Sequence, residues 1–435
     1  MKRYWKILIP LLFALAIALG LLQRQDNPYV GFRKQTFYFN QNNSDKSLED
    51  YFGESQKLAK QNQPVITSFL AVGDIMLSRN VAAEIFKSTD NGLPFRRMAD
   101  ILKSTDFNFA NLESPFYPPK QPCATGGATG IVGGHSLIFG APCDTVHGLP
   151  DNNFKILNLA NNHTLDQGLN GLEFTRSLLD SNNIKYVGAG KNLDETWQPA
   201  IVDANGIKVC FVGASYASIN DSGKIKNDYI ARIEDIERLK NSIATAKTEC
   251  DFVVATMHAG AEYTRMPNAA QINFAHAAID AGADLVIGSH PHWVQNIERY
   301  NGKYIFYSLG NFIFDQMWSQ ETKEGLTLKI TLSKNDSCSS LPLHEGELEG
   351  VIVGIDSSAK PSTTSPNPSS RGREYCTDNL QGSRIPAKLD KIELIPVIIE
   401  NYSTPRPANE EETKRILEKI NQKEKLLYES HVPLD

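Results

Sequence analysis

The feature that most constrains this chain begins at Val65, where short apolar runs start to alternate with helical stretches and each run ends in polar side chains. The pattern predicts strands over residues 66–72, 107–110, 156–159, 185–187, 207–213, 252–257, 285–287 and 304–307. Helices are predicted at 81–86, 94–102, 169–182, 233–247 and 269–281. Alternation on this scale points to an α/β fold with helices covering a sheet. After Gly325 it stops. Strands are expected at 326–332, 350–355 and 389–399, an exposed Ser/Thr/Pro-rich loop at 357–387, and a charged amphipathic helix at 409–427.

Composition removes several alternatives. The 435 residues are 41% hydrophobic and 22% charged, which excludes a mostly disordered, collagen-like or polytopic membrane chain. Lys+Arg 44 against Asp+Glu 50 gives a net charge of −6, so no nucleic-acid partner is expected.

Residues 1–25 read as a membrane segment. Lys2, Arg3 and Lys6 precede an apolar run over residues 7–22, with Tyr4 and Trp5 placed to sit at the interface. Ala16-Ile17-Ala18 can be read as a signal-peptidase site, but the run continues through Leu19, Leu21 and Leu22, which favours an uncleaved anchor. The basic end would stay in the cytoplasm, so a cell-membrane protein with one N-terminal pass and an extracytoplasmic main domain is expected. Residues 26–64 then form a polar stalk, 65–401 the main domain with the 357–387 insertion, and 402–435 a C-terminal helical region.

The six cysteines fit an oxidising compartment. Cys123 and Cys143 bracket a Gly-rich segment and Cys338 and Cys376 a Ser/Pro-rich one, each a plausible disulfide. Cys210 and Cys250 lie in apolar runs and read as buried thiols.

Chemistry collects at the strand ends, where open α/β sheets bind ligands. In order these ends are Val72-Gly73-Asp74, Asn111-Leu112-Glu113, Asn158-Leu159-Ala160-Asn161-Asn162-His163, Met257-His258, Gly288-Ser289-His290-Pro291-His292 and Ser308-Leu309-Gly310-Asn311. Carboxylate, amide and imidazole donors without thiolates suit Mn, Zn, Fe or Mg, as one or two ions. A His-x-His on an extended segment can present both rings to one site. Asp166 can orient an imidazole or cap the following helix. Glu262 and Tyr263 can act as general acid and substrate contact, or form a surface turn. Asn311 and Asp315 can line the cleft, although Asn311 can equally satisfy loop backbone. Ser308-Leu309-Gly310 lacks the Gly-x-Ser-x-Gly frame of a nucleophile elbow. The glycines at 126–127 and 130–134 have no following Lys-Ser/Thr, so they form a flexible loop and no phosphate cradle.

This ordered series resembles the bacterial poly-γ-glutamate capsule-synthesis (CapA-type) family, over roughly residues 68–330. That family is similar in turn to calcineurin-like metallophosphoesterases, so the resemblance implies a four-layer α/β/β/α sandwich with a metal site. It implies Asp74, Glu113, Asn162, His163, His258, His290 and His292 as metal ligands. Two departures stand out. Met76 occupies the histidine position of the Asp-x-His motif, and Asn111-Leu112-Glu113 replaces the usual Gly-Asp motif.

Two functions follow. One is a metal-dependent hydrolase of phosphoester or amide bonds, with His258 or Glu262 handling protons. The other is a non-catalytic polymer-binding, export or assembly component. Either implies an anionic surface polymer or its precursor as partner, together with the membrane and membrane-bound synthetase or export subunits. No ATP-binding loop is present, so polymer bond synthesis would need a ligase partner.

Overall fold

The computed structural model describes residues 64–118, 137–218, 227–335 and 385–420, all within one compact unit. The apolar segment, stalk, Gly-rich loop, the 350–355 strand and most of the 357–387 insertion lie outside them, as do Cys123, Cys338 and Cys376. Among the described residues no helix is long and apolar enough to cross a membrane.

Strands β1 (Val65–Ile75), β2 (Phe107–Leu112), β3 (Phe154–Asn158) and β4 (Lys185–Val187) run parallel. Next come β5 (Ala200–Ala204), β6 (Ile207–Ser215), β7 (Phe252–His258), β8 (Leu285–Ser289), β9 (Ile297–Tyr300) and β10 (Lys303–Phe306). The chain then returns to the first sheet through β11 (Asn311–Ile313), β12 (Glu324–Lys334), β13 (Lys388–Glu400) and β14 (Thr404–Pro407). The first sheet has the order β14-β13-β12-β1-β2-β3-β4, with β11 also on β1; the second has the order β5-β6-β7-β8-β10-β9.

Alternation within single strands explains the layering. In β1, Phe69 and Ala71 meet Phe211, Val254 and Ile287 of the second sheet, forming the core between sheets. Their neighbours Leu70 and Val72 face the other way, onto Val81 and Ile85 of helix α1 (Arg79–Ser88) and Leu172 and Leu179 of α2 (Gly168–Ser181). Because both faces are covered, β1 reads as a continuous apolar run. On the far side, Val253 and Ala255 of β7 pack on Leu239 and Ile243 of α3 (Ile236–Glu249) and Phe274 and Ala278 of α4 (Ala269–Asp280). The layers are therefore helix, sheet, sheet, helix, as the resemblance implies.

Some local readings differ. Residues 94–102 break into a 3-10 turn, Leu93–Phe95, and one helical turn, Ala99–Leu102. The C-terminal region begins as an edge strand, β14, before helix α5 (Glu410–Lys419) starts in a capping box between Asn409 and Glu412. Cys210 and Cys250 are not thiols: they form a disulfide joining β6 to the residue that follows α3. The strands bring their sulfurs together across a turn of chain that the sequence alone leaves open. Cys143 is also disulfide-bonded.

Candidate metal centre

The carboxyl ends of β1, β2 and β3 in one sheet and of β7 and β8 in the other converge, and each delivers its polar cluster there. The crossing of β1 and β11 depends on glycine. A Cβ on Gly73 would lie 2.0 Å from the Gly310 carbonyl oxygen, so only glycine permits this approach. The Asp74 amide donates to that oxygen at 3.0 Å, and Asp74 stands in register with Asn311.

Glu113 lies at the centre. It is fully buried, and among the described residues no amide, hydroxyl or ring N–H donates to either carboxylate oxygen. Its Oε1 faces Nε2 of His163 at 3.9 Å and Nε2 of both His258 and His292 at 3.8 Å. These separations are too long for hydrogen bonds. The two to His258 and His292 match donors sharing one ion, since two atoms each ~2.1 Å from a cation stand roughly 3–4 Å apart. Single ligand atoms of Glu113, His258 and His290, and of Asp74, Glu113 and His292, lie within 4.8 Å of one another.

Amides hold these donors in place. Asn158 donates to Asn111 Oδ1 at 2.9 Å, and Asn111 Nδ2 in turn donates to Asp74 Oδ1 at 2.7 Å and approaches His258 Nδ1 at 3.1 Å. Asn162 Oδ1 lies 2.7 Å from His258 Nε2. Asn311 donates to the Thr322 carbonyl and to Gln316, leaving its Oδ1 to accept from His292 Nδ1 at 2.9 Å. That bond turns Nε2 of His292 towards Glu113.

Burial without compensation governs the charges. Desolvation raises the Asp74 carboxyl to about 7, and raises Glu113 well above the carboxylate range, with the Asp74 charge adding to the effect. Desolvation also depresses His258 and His290 well below the usual imidazole value and takes His292 down to about 3, in spite of its bond to Asn311. Without a cation, burial favours the protonated form of Asp74 and Glu113 below about pH 7 and the neutral rings of His258, His290 and His292. A divalent cation can replace the protons, so the donor set fits the ion that its chemistry implies.

A family description, bacterial capsule synthesis protein PGA_cap, matches residues 68–316. The chain belongs to that family. It is 30% identical over 331 residues to capsule biosynthesis protein CapA of Bacillus anthracis, covering 74% of this chain and 76% of that one. It is 32% identical over 283 residues to PGA biosynthesis protein CapA of Bacillus subtilis strain 168, covering 65% and 72%. Among solved structures it is similar to the calcineurin-like phosphoesterase YfkN of Bacillus subtilis, with TM-score 0.36 and 16% identity over 63% of this chain and 87% of that one. A 5'-nucleotidase described as putative, from Staphylococcus aureus, gives TM-score 0.40 and 14% identity over 62% and 51%.

The fold brings together all seven residues expected as ligands. The others serve the site differently. Asp166 accepts from His163 Nδ1 at 2.7 Å, while the N-cap position of α2 is Gln167, whose side chain makes no capping bond. Glu262 is exposed on the rim and Tyr263 lies half-buried beside it. Asp315 is taken up by Arg79, whose Nε donates at 3.2 Å, and by the Asn80 amide. Met76 is buried in the outer core, its sulfur accepting from the Ser78 amide, so it is no substitute for the histidine of Asp-x-His. Sequence reasoning missed the amide relay of Asn158 and Asn111, and it missed Arg79, whose guanidinium stacks 4.8 Å above Phe139. The repeated Asn-Leu at the ends of β2 and β3 was the available signal for the relay.

Proposed function

We propose that this chain is a membrane-anchored, extracytoplasmic hydrolase of capsule biosynthesis, cleaving a phosphoester or amide bond in poly-γ-glutamate, a related anionic polymer or its precursor. The observation carrying this reading is the buried Glu113 carboxylate, without a donor and ringed by three imidazoles. Membership of the capsule family and the names of the two Bacillus relatives support the process. The charged, apolar N-terminal segment and the buried Cys210–Cys250 disulfide support the compartment, because such bonds persist where thiols are oxidised.

Asp74, Glu113, Asn162, His258, His290 and His292 would hold the ion. A divalent cation supplies Lewis acidity to a substrate oxygen and acidifies water towards neutral pKa. His258 is sealed between Asn111 and Asn162, which suits a ligand and leaves it no path for moving protons to solvent. His163 is better placed for that task. Asp166 accepts from its Nδ1, so its Nε2 is the atom free to exchange a proton with a leaving group, and the stacked Phe139 ring at 3.8 Å fixes its plane.

The test is elemental analysis of the purified full chain beside Asp74→Ala and His290→Ala, followed by screening of phosphoester and γ-glutamyl substrates. One or two cations per chain, lost in both variants and required for turnover, is the expected result. No cation above background after addition of Mn or Zn would overturn the hydrolase reading and leave a polymer-binding component.

A further inference from the structure

We propose that Trp318 and Tyr263, with the Glu262 carboxylate beside them, form a corner on the rim of the metal centre that binds the ammonium group at the amino end of the substrate polymer. This deepens the hydrolase reading above and rests on it, and it selects the amide bond over the phosphoester.

Trp318 is 61% exposed, although only Tyr263 separates it from the buried ring of His292. The Trp318 and Tyr263 rings meet edge to face, with centroids 4.7 Å apart and planes at 82°. Tyr263 in turn lies 6.0 Å from the His292 ring. Two rings at right angles make two walls of a corner, and the π-faces of tryptophan and tyrosine attract a cation within about 6 Å. Glu262 supplies the third wall. It shares a hydrogen bond with Tyr263, and one of its oxygens lies within 4.8 Å of ring nitrogens of His290 and His292, so the carboxylate stands at the mouth of the site.

The corner is built rigidly. Tyr263 has φ 61°, a left-handed conformation held by its amide, which donates to the Pro291 carbonyl at 2.8 Å. Its hydroxyl accepts from Gln316 at 3.3 Å, and Gln316 Oε1 accepts from Asn311 at 3.2 Å. Asn311 also orients His292, so the corner and that metal ligand share one hydrogen-bonded frame. Beyond Trp318, Ser319 accepts from the Thr322 amide at 3.1 Å, and the Thr322 hydroxyl donates to the Gln316 carbonyl at 2.7 Å. Pinned on both flanks, the Trp318 loop pays little further ordering cost when a ligand binds.

Charge decides which ligand fits. The charges acting on Tyr263 are those of Glu262, Glu113 and Arg79. Arg79 is committed to Asp315, while Arg265 donates to the Val294 carbonyl at 3.0 Å and faces Glu321. Asp74 and Glu113 balance the two charges of an ion, which leaves Glu262 to set the sign of the rim. An acidic aromatic corner repels the α-carboxylates of a γ-glutamyl chain and accepts the one cation that chain carries, the ammonium at its amino end. Only the side chain of the first glutamate separates this ammonium from the first γ-amide, so seating the amino end brings that amide towards the metal centre. Hydrolysis there breaks the amide C–N bond. The oxygen and one proton of water go to the γ-carboxyl of the released glutamate, and the other proton goes to the nitrogen that becomes the new amino end.

The experiment is calorimetry of the full-length protein with Mn and γ-linked pentaglutamate, its amino end free or acetylated, for wild type, Trp318→Ala and Trp318→Phe. Products are followed by chromatography. Acetylation should weaken binding to the wild type about 10-fold, as loss of a cation–π contact implies. Trp318→Ala should lose about the same factor for the free oligomer and none for the acetylated one, whereas Trp318→Phe should keep most of the discrimination. Mn content and circular dichroism should be unchanged in both variants, because Trp318 is exposed and ligates no ion. Equal affinity for the two oligomers, discrimination that survives Trp318→Ala, or binding of neither would overturn the proposal. A wild type that discriminates through Trp318 but turns over neither oligomer would uphold the corner and sink the hydrolase reading instead.

Discussion

The Asp166 carboxylate accepts from Nδ1 of His163 at 2.7 Å and from the Phe139 amide at 2.5 Å, which fixes both the ring and the tautomer of the histidine. With Nδ1–H committed, Nε2 is left to face the metal cluster. Asp166→Asn keeps the size of the side chain and replaces the carboxylate that accepts from Nδ1 with a weaker amide acceptor. Loss of such a positioning carboxylate typically costs about 10–100-fold in activity. We expect kcat for the substrate found in the screen to fall by about that factor with metal content unchanged. A fall in metal content instead would make His163 a ligand.

The charges in the cluster give a pH dependence whose sign can be worked out for the metal-free protein. Asp74 sits at about 7 against an ordinary 3.8, and Glu113 is also raised, so each destabilises the fold increasingly as pH climbs above the normal carboxylate range. His258, His290 and His292 are depressed from 6.5, so each destabilises the fold as pH falls below 6.5. Below that value three imidazoles outweigh two carboxyls; above it only the carboxyls still act. The cluster therefore favours a stability maximum near pH 6.5. At pH 8 the Asp74 contribution alone has cost about 4 kcal/mol. Thermal unfolding of chelated protein from pH 5 to 8 should show this peak, and saturating Mn should abolish the decline on its alkaline side.

Metal loading follows from the same carboxyls. At pH 6 the cation has to displace protons from Asp74 and Glu113, so apparent affinity should strengthen as pH rises through about 7. Calorimetry in buffers of different ionisation enthalpy should detect at least one proton released per ion at pH 6. Proton-neutral binding would mean that these two carboxylates are not ligands.

The α/β alternation and the polar strand ends were legible because both rest on local pattern. Strands buried on two faces read as plain apolar runs, and polar residues at their ends stand out against them. What escaped is of two kinds. Asn205-Gly206 and Asn301-Gly302, at φ 54° and 81° and at 47° and 78°, make two-residue hairpins that create the edge strands β5 and β9. That signal was present and short. The Arg79–Asp315 pair and the Cys210–Cys250 bond join residues distant in sequence, which only the packed sheets bring together. No spacing rule encodes them.

Arg79 and Asp315 give a prediction that separates fold from chemistry. The side chains are 10% and 1% exposed, so this is a buried ion pair. Removing one partner leaves the other charge poorly compensated, at a typical cost of 3–5 kcal/mol. Asp315→Asn should lower the unfolding free energy obtained from urea titration by an amount in that range. A loss below about 1 kcal/mol would show that Arg79 is held mainly by Phe139 and its other contacts, and would free Asp315 for the substrate role suggested by sequence.

The Cys210–Cys250 disulfide closes a loop across a sequence separation of 40, joining β6 to the start of the turn into β7. Chain-entropy arguments give a loop of that length roughly 4 kcal/mol of stabilisation, mainly by restricting the unfolded chain. Both residues are buried, Cys210 at 0% and Cys250 at 3%, so reductant should reach the bond only when the structure opens. Dithiothreitol on the native protein should leave the pair oxidised, and reduction in urea should expose it. Cys210→Ala/Cys250→Ala should fold with an intact cluster, bind Mn as the wild type does, and unfold at lower denaturant. Rapid reduction under native conditions would place the bond in a part of the second sheet that opens readily, which the tight packing of β6 on β7 argues against.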